Sequence, residues 1–188
     1  MNQIQQLIAR WTVHGIKCPP GASLDDIAAF ESRHNVRLPH DLRSYFLAVN
    51  GTGERHTLDD DLFCFWPLSD VISIAEDLPD RCSGLAHASR YFIIADHSIC
   101  LPSYAIRLSA DPAAANPVAS VFVDPNTLAV EDMFESFTDF VQHYLDDPFE
   151  TGGALPSNIP ILDHPTWLGR VACFAKGLLH LGARKESP

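Results

Sequence analysis

The residues in this 188-residue chain that could do chemistry are nine histidines, five cysteines and twenty-four acids. His87, His97 and Cys100 could converge on a metal. His97-x-x-Cys100 has no second ligand pair, however, and structural zinc takes four ligands. Solvated or core-edge histidines are the plainer reading. Asp96, His97 and Ser98 supply triad residue types, but adjacent positions on one segment cannot converge as a triad does. There is no G-x-S-x-G elbow. Cys64 sits among Leu62, Phe63 and Phe65 and reads as a buried apolar residue, and Cys18 beside Pro19 reads as a loop thiol. Gly51-x-Gly53 lacks the rest of a phosphate-binding loop and the strand before it. Cys18, Cys64, Cys82, Cys100 and Cys173 are scattered, odd in number and without a C-x-x-C pair. That pattern suits reduced thiols in a cytoplasmic protein. No catalytic residue, metal or cofactor is assigned, and the chain is expected not to be an enzyme.

The acids carry more information. A formal net charge of −11 argues against binding nucleic acid, which needs cations to neutralise phosphates, and permits attraction to a basic protein partner, although acidity that simply keeps a protein soluble is the plainer reading of charge alone. Glu54, Asp59, Asp60 and Asp61 crowd one polar stretch. Their spacing is not that of an EF-hand loop. They read either as a solvated loop or as part of an electronegative face, which Asp77 and Asp80 would extend if the fold brings them near. The C-terminal stretch differs from the body: residues 164–188 hold Arg170, Lys176, Arg184 and Lys185 against Glu186 alone.

Local patterns say what must position these groups. Ile4, Leu7, Ile8 and Trp11 lie at i, i+3, i+4 and i+7, which predicts an amphipathic helix closed by the CPPG turn at 18–21. Ser23, followed by Asp25 and Asp26, predicts a capped helix running to about His34. LPHDLRSYFLAVNG (38–51) predicts a third, with Pro39 in its first turn, Leu42, Tyr45, Phe46 and Val49 on one face, and Asn50-Gly51 as a left-handed stop. Apolar runs at 62–68, 91–96, 103–109 and 119–124, with a short one at 128–130, predict strands. A helix capped by Ser69 would run through Val71, Ile72, Ala75 and Leu78. Ser136 starts another, with Phe137, Phe140, Val141, Tyr144 and Leu145 on its apolar face and Asp146, Asp147 and Pro148 at its end. After an irregular connection, Trp167, Val171, Phe174, Leu178 and Leu181 predict a C-terminal amphipathic helix. No run approaches the roughly 20 apolar residues of a membrane span, and the N-terminus has no basic-then-apolar leader pattern. Short connections between the strands favour antiparallel pairing, so the fold class is α+β: a single, mainly antiparallel sheet packed by helices.

Taken in order, these elements resemble the SUKH superfamily, the Smi/Knr-like domains. LPHDLRSYFLAVNG is similar to the family's LPxDLRxFLxxxNG-type helix. The acidic helix SLDDIAAFESRHN precedes it, and FCFWPL, YFIIADHS, YAIRL and SFTDFVQHYL follow it in the family's order. The resemblance divides the chain into an N-terminal helix and linker (1–19), a SUKH-like domain (20–148), and an irregular connection with an extra C-terminal helix (149–188). The last segment is expected to pack on the same domain, the alternative being a homodimer surface. The resemblance implies a cytoplasmic immunity protein that binds and occludes a cognate basic toxin, nucleases being frequent among such toxins. The alternative it implies is a non-catalytic regulatory or scaffold protein of the Smi/Knr type. No nucleic-acid or membrane partner is expected. Asp96 fits the family's acidic position, so the expected partner-binding set is Glu54, Asp59, Asp60, Asp61, Asp77, Asp80 and Asp96.

Overall fold

The computed structural model describes residues 2–54, 57–98, 102–124 and 127–157. The chain divides into two compact units, Met1–Ser157 and Asn158–Pro188, and the described residues all fall in the first. The predicted helix through Trp167 and Leu181 lies outside them.

Three helices open the chain: α1 (Gln3–Val13), α2 (Leu24–His34) and α3 (His40–Ala48). Strand β1 (Phe63–Phe65) and the short helix α4 (Ile74–Asp77) follow. Then come β2 (Tyr91–His97), β3 (Ser103–Arg107), β4 (Val118–Asp124) and β5 (Thr127–Phe134). Helices α5 (Phe137–Asp146) and α6 (Pro148–Gly152) close the unit. The strands form one sheet in the order β1-β2-β3-β4-β5, antiparallel at every pairing. The fold class is α+β, as the sequence predicts. Among the described residues no helix is long and apolar enough to cross a membrane.

Local chemistry sets the helix starts. Asn2 with Gln5, Ser23 with Asp26 and Ser73 with Glu76 are reciprocal capping boxes, each satisfying two otherwise orphaned N–H groups. Ser136 accepts from the Asp139 N–H at 3.1 Å, while Asp139 accepts from the N–H of Glu135. Alternation in the strands then directs Phe63, Phe65, Phe92, Tyr104 and Phe134 to the helix-covered face. Phe65 meets Trp11 of α1 at 5.0 Å and Phe140 of α5 at 5.7 Å, and Phe92 meets Phe30 of α2 at 5.6 Å. Tyr104 lies 4.9 Å from Phe140, and Phe63 lies 5.0 Å from Tyr144. Each such pair adds about 0.5–1.5 kcal/mol beyond the burial of its area. Leu42, Tyr45, Phe46 and Val49 are all buried, so the apolar face read for α3 is a core face.

Four local expectations change. Pro39 is the N-cap of α3, with extended backbone, and not part of its first turn. The helix ends at an extended Val49, so Asn50-Gly51 does not form its left-handed stop. These two residues fasten the chain to β1 instead: Asn50 Oδ1 accepts from the Leu68 N–H at 2.7 Å, and Gly51, at φ +78°, passes so close that a Cβ would lie 2.5 Å from the Phe65 carbonyl oxygen. Only glycine combines that φ with that approach. The helix expected from Ser69 is capped by Ser73 and begins at Ile74, because the chain first bridges Ser73 to Phe92 near the start of β2. Finally, β5 is eight residues long and not three, since pairing along the whole of β4 carries its polar end into the sheet.

Candidate protein-binding surface

The acidic stretch after Gly51 folds along the outer edge of β1. The Thr52 N–H donates to Phe65 O and the Asp59 N–H to Phe63 O, at 2.9 and 2.8 Å. This brings Asp59 inward, to 4% exposure. Its Oδ1 accepts from the N–H groups of Asp61 and Phe63, both at 2.9 Å, and its Oδ2 accepts from the Tyr144 hydroxyl at 2.5 Å. The indole of Trp11 donates to the same hydroxyl at 3.2 Å. Burial pushes the Asp59 carboxyl above its ordinary 3.8, and the bonds from Tyr144 and the backbone offset this only in part. The Tyr144 phenol is likewise raised, by burial first and by the neighbouring Asp59 second.

Asp61 completes a latch on α1. Arg10 donates to Asp61 Oδ2 from Nε at 3.0 Å and from Nη2 at 2.6 Å. Its other terminal nitrogen donates to Leu145 O at 3.3 Å, and the guanidinium lies 5.2 Å from the centre of the Tyr144 ring. One side chain thus ties the N-terminal helix to the acidic loop and to the end of α5.

The seven acids picked from the sequence therefore separate. Asp59 is committed to the interior. Asp96 is fully buried on the sheet face opposite the helices, where the Trp66 indole donates to its Oδ2 at 2.6 Å. Both carboxylates, expected to face a partner, are buried and hydrogen-bonded inside the fold, because each meets a donor from a distant part of the chain. Asp61 is three-quarters covered and ion-paired. Glu54, Asp60, Asp77 and Asp80 are exposed. They do not form one face. Asp77 ends α4, which follows the Ser73–Phe92 bridge, whereas Asp60 adjoins Phe63, the partner of His97. Phe92 and His97 are five residues apart on β2, about 17 Å at strand rise. Asp80 follows α4 and stays at that far end.

Other acids take the vacated places. His97 joins β1, β2 and α6 at this end of the sheet. Its backbone pairs with Phe63, the Ser98 N–H donates to Leu62 O at 2.9 Å, and its ring abuts Gly152, where an added Cβ would lie 2.7 Å away. Leu62 and Asp60 are thereby brought beside the α5–α6 corner, which exposes Asp146, Asp147 and Glu150. Leu62, 49% exposed, follows Asp60 and Asp61 in the chain, and Phe149, 90% exposed, lies between Asp147 and Glu150. Sequence reasoning took Asp146, Asp147 and Pro148 only as a helix stop. The missed signal was the string DDPFE itself: Asp147 caps a new turn by accepting from the Glu150 N–H at 2.9 Å, with Pro148 in that turn.

Elsewhere the described residues offer less for chemistry. No three histidines, cysteines or carboxylates among them are grouped to hold a metal ion. His87 lies before β2 and His97 at its end, and Cys100 lies outside the described residues. A shallow open depression of about 230 Å³ lies where α1, α3 and α5 begin. Its Asp41 accepts from the N–H and hydroxyl of Thr138 at 2.9 and 3.0 Å, so the carboxylate serves α5 as a cap.

A model of the SMI1/KNR4 family (SUKH-1) matches residues 21–143. The chain belongs to the SMI1/KNR4 family. The match begins beyond α1, so the helix latched by Arg10 and the α5–α6 corner both lie outside the matched span. Membership in the SMI1/KNR4 family supports a general role as an immunity or Smi/Knr-type protein and suggests a protein partner. A search of curated proteins finds no match to the chain.

Proposed function

We propose that this SMI1/KNR4 protein is a cytoplasmic immunity protein that binds a basic toxin domain and neutralises it by occlusion, without turnover. The observation that carries the reading is the separation of charges on the surface. Arg10, Arg33, Arg37, Arg43 and Arg107 lie within salt-bridge distance of carboxylates. Asp60, Asp146, Asp147 and Glu150 are exposed, and the Arg10 bonds to Asp61 and to Leu145 O bring the loop that holds Asp60 to the end of α5. Such an end attracts a cationic surface over a Debye length and repels nucleic acid. The net charge of −11 acts in the same direction. A nuclease, whose own site must be basic to hold phosphates, is the toxin class that this charge suits best.

The test is binding of the purified full chain to the toxin domain encoded beside its gene, followed by calorimetry. A dissociation constant below micromolar that weakens with salt is expected. Absence of binding at micromolar concentration overturns the reading. A regulatory scaffold is the second reading, and the acids at the far end of β2, Asp77 and Asp80, favour it by offering a separate surface. It predicts several weaker partners in place of one tight one.

A further inference from the structure

The α5–α6 corner presents an aromatic side chain that the fold does not use. Phe149 is 90% exposed, the most exposed of the large apolar residues described. The backbone around it is nevertheless held firmly. Asp147 caps the turn, and the Gly153 N–H donates to Phe149 O at 3.0 Å. The buried Tyr104 hydroxyl donates to Thr151 O, and the Ser120 hydroxyl donates to Ala154 O at 2.6 Å. Gly152 is locked against the His97 ring. Five anchors within eight residues hold the backbone that carries Phe149 before anything binds, so little backbone ordering entropy remains to be lost.

Leu62 shows the same economy from a second element. It is 49% exposed and adopts φ +65°. A branched apolar residue there costs about 1–2 kcal/mol that glycine or asparagine would not. Neither burial nor backbone preference explains a leucine at this position.

Resting on the proposed protein-binding function, we propose that Phe149 and Leu62 are the apolar anchors of the interface, and that their occupant is an apolar cleft rimmed by lysine or arginine on the partner protein. Charge complementarity selects this occupant, because exposed acids flank both residues along the chain: Asp60 precedes Leu62, and Asp146, Asp147 and Glu150 bracket Phe149. A second copy of this chain is disfavoured, since a two-fold contact centred on Phe149 would set these acids against themselves. An anchor side chain seated in a partner's pocket, ringed by contacts that exclude water, is the arrangement that concentrates binding energy at protein interfaces.

The experiment uses the full chain and the same purified toxin domain. Phe149→Ala should weaken binding roughly 30-fold or more, chiefly through faster dissociation, with an unchanged thermal midpoint. Leu62→Asn should weaken it several-fold while leaving the midpoint equal or higher, an outcome that a structural role would not give. Asp60→Asn with Glu150→Gln should slow association and flatten its salt dependence. Asp80→Asn, at the far end of β2, is the control and should change nothing. If the wild-type chain binds and Phe149→Ala binds equally well, the anchors are wrong and the binding function stands. If the wild-type chain does not bind, both fall. A lowered midpoint for Phe149→Ala, or a dimer in sedimentation that this variant abolishes, also overturns the assignment, since Phe149 would then be covered by the chain itself or by its copy.

Discussion

The two ends of β2 carry the same residue types and use them differently. At the His97 end, Asp59 and Asp61 face inward and bind α1 and α5 to the sheet. At the Phe92 end, Glu76 closes its own short helix through the N–H and hydroxyl of Ser73, at 2.9 and 2.8 Å. It also lies within 4 Å of His34 and Arg33. One carboxylate cluster is tertiary glue, and the other is a local cap with a solvated surround. The difference teaches that an acidic run is not one kind of object. Burial decides whether its members hold the fold or face a partner.

The largest expected effect tests the inward role. Asp59→Ala leaves two backbone donors and the Tyr144 hydroxyl without their acceptor in a buried site, at a cost of about 2–4 kcal/mol in urea unfolding. Asp80→Ala, exposed at the other end, should leave the urea midpoint unchanged. Equal costs for the two would erase the distinction between the ends. Tyr144→Phe comes next, at about 1–3 kcal/mol, because both Asp59 and Trp11 lose their partner. Its signature should be earlier hydrogen exchange in α1, with α4 unaffected.

Arg10→Ala is smaller, about 1 kcal/mol, since its ion pair with Asp61 is a quarter exposed on both sides and partly screened. Much of that should vanish in high salt.

Acid sharpens the comparison, because the two ends have opposite signs. Burial raises the Asp59 pKa above 3.8, so the folded state binds its proton more tightly than the unfolded state does. Ionisation of Asp59 therefore subtracts stability as pH rises from about 3.8 through its folded value. Glu76 behaves oppositely. Burial raises its pKa, but the Ser73 bonds and the nearby His34 and Arg33 outweigh it and bring the value below 4.5. Its stabilisation is present above 4.5 and is lost as pH falls through the folded value. Hydrogen exchange across this range should show α4 loosening on acidification in the wild type. Asp59→Asn should remove the opposing slope at α1. Parallel slopes at both ends would show that the two carboxylates share one environment.

Much of this was legible along the chain. Periodicity placed α1, α2, α3 and α5, and alternation with aromatic content placed the strands. The order of these elements identified the family. Short-range chemistry is written in neighbours: a serine three residues before an acid makes a capping box wherever the backbone permits it. The proposed binding surface was only half legible. Glu54, Asp60, Asp77 and Asp80 are exposed, but the last two lie at the other end of a strand. The acids that join Asp60 come from a string that reads locally as a helix stop.

What the sequence determined by itself, then, was the set of elements, their caps, the apolar faces they must bury, and a net charge that a partner would have to complement. The tertiary structure alone decided which acids are spent inside. Asp59 meets Tyr144 across 85 residues of chain, and Asp96 meets Trp66 across 30. Neither pairing leaves a trace in local spacing, because desolvation depends on what the folded chain brings near. The same holds for Phe149. Its sequence neighbours suggest a turn, and only the anchors from β3 and β4 and the packed His97 ring hold its backbone while its side chain stays in water.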